Sequence, residues 1–107
     1  MPTFTGSEGS PIDRAEAAQW TANYRNANAG FDDTSTKAHF YGREVLQQLL
    51  DQPGCMGIRM YYALDGEGQK QLILVGADAE GNDIEDLIVD GSHICPPDCS
   101  TKGELIG

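Results

Sequence analysis

The chain has 107 residues, of which 39% are hydrophobic and 22% charged, and its net charge is −10. That length supports a single domain (residues 1–107) with one modest core. The composition is that of a globular chain rather than a disordered one, and the acidity argues against nucleic acid and against an anionic membrane surface as partners.

The charge is unevenly placed. Up to Leu64 there are seven acids and five bases, whereas from Asp65 onward ten acids face only Lys70 and Lys102. Such a surface serves solubility, and it also suits a basic protein partner or a divalent cation. No apolar run approaches the roughly 20 residues of a membrane helix. The first residues lack the basic and apolar blocks of a signal peptide. The expected location is therefore the cytoplasm, or outside the cell by a route that needs no cleaved signal.

Residues 1–9 read as a polar N-terminal arm with Phe4 as its one large apolar group. Ser10 then offers an N-cap and Pro11 a first helical position. The Ala-rich stretch that follows predicts a first helix. Its residues Ala17, Trp20, Tyr24 and Ala27 share one face, with Gly30 placed to end it. Core packing is the expected use of Trp20, Tyr24 and Tyr41.

A second helix is predicted over residues 37–52, capped by Ser35 or Thr36. Ala38, Tyr41, Val45 and Leu49 form its stripe, widened by Leu46 and Leu50. Gly42 inside it costs about 1 kcal/mol relative to Ala and suggests a close approach. Pro53 and Gly54 stop the helix. The period then changes to two. Ile58, Met60, Tyr62 and Leu64 alternate with Arg59, Tyr61 and Ala63, and Leu72 and Leu74 alternate with Ile73 and Val75. With DGEG between them, the two runs predict a β-hairpin. DAEGND is a second turn, and residues 84–90 are a third strand or a short helix. Residues 10–99 thus form the core, and 100–107 a tail. The fold class is α+β: two helices packed on a small antiparallel sheet, with an irregular Cys- and Pro-containing C-terminal region.

The chemistry-bearing residues are few. Cys55 follows the helix stop, and the segment HICPPDC holds His93, Cys95 and Cys99. Three readings of these cysteines stay open. They are packed thiols, a disulfide either between Cys95 and Cys99 or from Cys55 to the tail, or a zinc site with Cys55, His93, Cys95 and Cys99 as its four ligands. His39 is a reserve ligand. The acidic runs are read as β-turns, because they lack the glycine and glutamate positions of a calcium loop. Phosphate-binding glycine loops, nucleophile elbows and zinc-protease helices are absent from the sequence. Of Tyr61 and Tyr62, neighbours on a strand, one should face the core. The other, Tyr61, shares a face with Arg59 and forms with it, and with Phe4 of the arm, a candidate contact surface.

The elements QPGC, GIRMYYAL, LILVGAD and CPPDC, spread from residue 39 to residue 99, resemble short uncharacterised bacterial proteins. The resemblance brings no activity. It implies that Cys55 and the CPPDC pair belong to one module.

Without catalytic motifs, the expectation is a non-enzymatic structural or assembly subunit that needs no cofactor. It would be a homo-oligomer or filament, self-associating through its terminal arms and an exposed sheet edge. The alternative is a small zinc-binding or thiol/disulfide protein using Cys55, Cys95, Cys99 and His93.

Overall fold

The structure is a computed structural model that describes residues 3–28 and 30–106. The first residues of the expected arm, 1 and 2, and the last residue of the tail, 107, lie outside the described residues. The chain forms two compact units. The first combines the N-terminal segment up to Gly9 with Tyr41–Ser92, and the second combines Ser10–Phe40 with the chain from His93 on.

The first unit holds helix α2 (Arg43–Leu50) and strands β2 (Cys55–Leu64), β3 (Lys70–Asp78) and β4 (Asp83–Val89). The strands form an antiparallel sheet in the order β2-β3-β4. The hairpin pairs Ile58 with Gly76 and Met60 with Leu74. Its turn is closed by Asp65, whose Oδ1 accepts from the amides of Glu67 and Gln69 at 2.9 and 3.0 Å. Asp78 closes the second turn in the same way, accepting from Glu80 and Asn82 at 3.0 and 2.9 Å. Acidic side chains favour such turns because they bond the amides two residues on. Residues 83–89 are a strand, not a helix. Its register slips against β3 between Val75 and Gly76, where Ile88 and Ile84 are the respective partners.

Helix α2 packs on β2 and β3. Leu49, Leu74 and Val89 form the core, with Tyr41, Val45, Leu46, Ile58, Leu72 and Leu87 packed against them. The Tyr41 hydroxyl donates to the Leu72 carbonyl, and burial raises its pKa above the ordinary phenol value. The helix starts later than its sequence stripe suggested. Gly42 is its N-cap, in extended conformation at φ −70°, ψ 153°. Residues 38–40 have left the helix for a strand, β1, whose backbone finds partners in the second unit's own sheet. The aromatic and His residues of that stretch suit a strand better than a helix start.

The second unit holds α1 (Arg14–Ala27), β1 (Ala38–Phe40) and β5 (His93–Cys95). Strands β1 and β5 pair antiparallel, with Ala38 opposite Cys95 and Phe40 opposite His93. Part of the region expected to be irregular is therefore ordered by pairing. The cap of helix α1 lies three residues later than expected. Asp13, not Ser10, is the N-cap, accepting from the Ala15 amide at 3.2 Å. Asp13 also places Glu16 in the first turn, where the helix dipole favours an acid. The helix has no buried residue, and Trp20 is 60% exposed. Tyr24, also exposed, packs edge-on to Phe31 with ring centroids 5.9 Å apart. The expectation that Trp20 and Tyr24 pack in a core is thus corrected. Their stripe includes two alanines, which bury too little area to seat a helix.

The end of α2 meets the sheet at Gly76. A methyl group built there would lie 2.8 Å from Gln52 Nε2, 3.0 Å from Cys55 Sγ and 3.4 Å from the Leu49 carbonyl oxygen. Close approach of helix and strand therefore favours glycine at this position, since a side chain would have to displace the Gln52 amide and crowd Cys55. Gly76→Ala is expected to destabilise the protein by about 1–3 kcal/mol through overpacking, read as a lower urea midpoint with an unchanged m-value.

Candidate functional site

Strand β2 is ten residues long, about 33 Å, whereas the eight residues of α2 span about 12 Å. The helix covers Ile58 and leaves the later residues of the strand bare. Tyr62 lies on the same face as Ile58 by alternation, yet it is 94% exposed. The expectation that one of Tyr61 and Tyr62 faces the core is therefore corrected, since the covering helix ends short of Tyr62 and Tyr61 lies on the opposite face. Met60, Tyr61 and Leu64 are exposed as well.

The opposite face of the sheet carries a polar network. Arg59 Nη1 donates to Asp83 Oδ1 at 2.6 Å and to the Gly81 carbonyl at 3.0 Å. The Tyr61 hydroxyl donates to Asp83 Oδ2 at 2.5 Å. Both side chains reach from β2 to β4 across β3, on the face that carries the buried Val75 and Ala77. The Tyr61 hydroxyl, then the Arg59 guanidinium, hold the Asp83 carboxyl below the ordinary carboxylate range. The same bond raises the Tyr61 phenol.

The N-terminal arm joins this network. The Arg59 guanidinium carbon sits 5.3 Å from the Phe4 ring centroid, a cation–π contact. The Phe4 amide donates to the Ala79 carbonyl at 2.8 Å. Glu8 folds the arm on itself, accepting from the amides of Thr5 at 2.8 Å and Gly6 at 2.9 Å. These amides lower its pKa, the Thr5 bond most. The structure thus brings Phe4, Arg59 and Tyr61 together around one carboxylate. Asp83, which ties them, was missed by sequence reasoning. It is one of 17 acids, and only the β3–β4 register singles it out.

The cysteines divide between the units. Cys55 is a free thiol of the first unit, half-buried, with Sγ donating to the Gly57 carbonyl at 3.2 Å. Cys95 and Cys99, in the second unit, are joined by a disulfide with Cα atoms 4.7 Å apart. His93 Nδ1 lies 3.1 Å from Asp98 Oδ2. Of the open readings, the structure holds the disulfide. Sulfurs bonded to each other have no thiolate to offer zinc. Among the described residues, no group of three or more His, Cys, Asp or Glu side chains is placed to hold a metal. The reserve ligand His39 lies on β1, where burial lowers its pKa.

No family model, curated protein or solved structure matches the chain. Among the described residues, no helix is long and apolar enough to cross a membrane.

Two measurements follow from these bonds. Asp83 has a lowered pKa in the folded state, so its contribution to stability is present above its unfolded pKa, near pH 4. That contribution is lost as pH falls below that value. Urea midpoints recorded against pH should therefore fall more steeply below pH ~4 in the wild type than in Asp83→Asn. Reduction of the Cys95–Cys99 bond, which closes a very short loop, should cost roughly 2 kcal/mol on the loop-entropy relation. It is read as a lower melting temperature in a non-metal reductant, with Cys95→Ser/Cys99→Ser melting at that lower temperature in either buffer.

Proposed function

We propose that this protein is a non-enzymatic assembly subunit that pairs with a second copy of itself along the free edge of β2. The observation that carries the reading is the run of residues 60–64. Strand β2 ends the sheet, and Met60, Tyr61, Tyr62 and Leu64 are all exposed there. A long apolar edge strand with no Lys, Pro or inward charge to blunt it is a template for strand pairing.

Charge supports the same occupant. In a chain of net charge −10, β2 carries no acid, and its one base, Arg59, is neutralised by Asp83. It is a strip on which two acidic copies can approach without repulsion. The other edge is less suitable. Strand β4 carries Asp83, Glu85 and Asp86 and its register slips within the strand, features that discourage edge pairing, whereas the irregularity of β2, between Cys55 and Gly57, lies outside residues 60–64. One usable edge per copy favours a closed two-fold dimer over a filament. In this reading the terminal arms stay on their own chain. The first packs through Phe4, and the last residues are tied through the Leu105 carbonyl, which accepts from Arg25 Nη1 at 3.1 Å.

A thiol/disulfide role is the second reading, favoured by the Cys95–Cys99 bond. A bond of this kind persists in oxidising surroundings, so it favours the signal-independent route out of the cytoplasm. Zinc at Cys55, His93, Cys95 and Cys99 would need that bond reduced first. Capture of a basic protein through the acidic surface would be salt-sensitive.

Sedimentation velocity across a concentration series tests the assembly reading. The wild type is expected to pass from monomer to dimer, and Tyr62→Lys, which puts a charge at the middle of the exposed run, to remain monomeric. A wild type that stays monomeric up to millimolar concentration refutes it.

A further inference from the structure

We propose that the N-terminal arm caps the first half of the β2 edge and so sets where, and over what length, two copies pair. This inference rests on the edge-pairing reading and goes beyond it by assigning the arm a role in register.

The arm lies against the beginning of the strand. Gly6 has φ +90°, and a methyl group built on it would stand 3.5 Å from the Met56 carbonyl oxygen and 3.9 Å from Met56 Sδ. Phe4, two residues earlier, is fixed at Ala79 and under Arg59. Arm and strand together line a groove of about 480 Å3, with Phe4, Glu8, Leu50, Met56, Ile58 and Arg59 among its walls. Both charges in that groove are already satisfied. Arg59 is bonded to Asp83 and Gly81, and Glu8 to the amides of Thr5 and Gly6. The groove therefore makes no demand for a charged ligand, and Phe4 of the arm forms one of its walls.

Beside the arm Met56 is 37% exposed and residues 57–59 are half-buried, whereas residues 60–62 and Leu64, beyond both the arm and α2, are exposed. Antiparallel pairing of two capped edges about a two-fold axis is thus confined to residues 60–64. That places Tyr62 opposite Tyr62 of the second copy. With the arm released, pairing can extend back to Gly57, where the regular strand begins after the irregularity between Cys55 and Gly57, and an overlap of residues 57–63 centres on Met60. Such a change moves the axis by two residues, which preserves the face on which each side chain points. The capped and uncapped registers therefore both keep Ile58 and Leu74 on the core side.

The arm is held lightly. One backbone hydrogen bond and one cation–π contact fix Phe4, so removing the ring releases the arm without opening the core around Leu49 and Leu74. Phe4→Ala is therefore expected to tighten dimerisation about tenfold in sedimentation equilibrium of the full chain. Hydrogen exchange at a concentration where dimers dominate should show newly protected amides within 60–64 in the wild type and within 57–63 in Phe4→Ala. A Phe4→Ala dimer with the wild-type dissociation constant and the wild-type protected segment overturns the capping role, while edge pairing stands if Tyr62→Lys still abolishes the dimer. Weaker dimerisation of Phe4→Ala also overturns it, because the arm would then be contributing contacts to the dimer. If wild type and Phe4→Ala are both monomeric at every concentration, capping and edge pairing fall together.

Discussion

The first unit depends on the seating of one short helix against one glycine. Leu49 is fully buried, and its helix approaches β3 closely because Gly76 has no side chain to hold it off. Leu74 and Val89 complete the layer beneath. Everything within reach of those two turns of helix is core, and everything beyond them is left to solvent. An eight-residue helix cannot shield a ten-residue strand, so the bare Tyr62 on the helix side of β2 follows from the same contact that buries the near end.

The opposite face of the sheet answers a different need. Val75 and Ala77 are buried there although no helix of this unit packs on that side. Arg59 and Tyr61 cross above β3 to reach Asp83, and Phe4 stacks on the guanidinium. A single carboxylate thereby holds a cation and a phenol in place and cancels the one positive charge on the edge strand. The strand that offers itself for pairing is consequently the least charged part of an acidic surface, and the arm that ends in the same network lies at its beginning.

Much of this was readable in advance where the signal is local. The hairpin, the third strand as one of two options, and the stripe Val45, Leu46 and Leu49 come from periodicity over a few residues. The Asp65 and Asp78 turns come from side chains that bond their own backbone. Phe4, Arg59 and Tyr61 could be singled out as an aromatic arm and two residues on one strand face. Strands β1 and β5 gave no such signal. Each has three residues, too few to show a period, and their order comes from pairing with each other across residues 41–92. Asp83 was hidden for a related reason, as nothing in DAEGND distinguishes the acid with which β4 meets Arg59 from its neighbours.

Period, turn chemistry and charge distribution are properties of neighbouring residues. They therefore sufficed for an α+β class, for the hairpin and for an acidity concentrated after Asp65. The covering of faces is not a local property. A strand pattern states which residues share a side, but the length and seating of α2 decided that Ile58 would be core and Tyr62 bare. Likewise, helix α1 has the composition of a helix, yet only tertiary packing could have buried Trp20, and it did not. The cysteines show the same division. Their types and spacing allowed thiol, disulfide or metal chemistry, and the fold chose the bond between Cys95 and Cys99 by bringing their Cα atoms to 4.7 Å, within the reach of a disulfide.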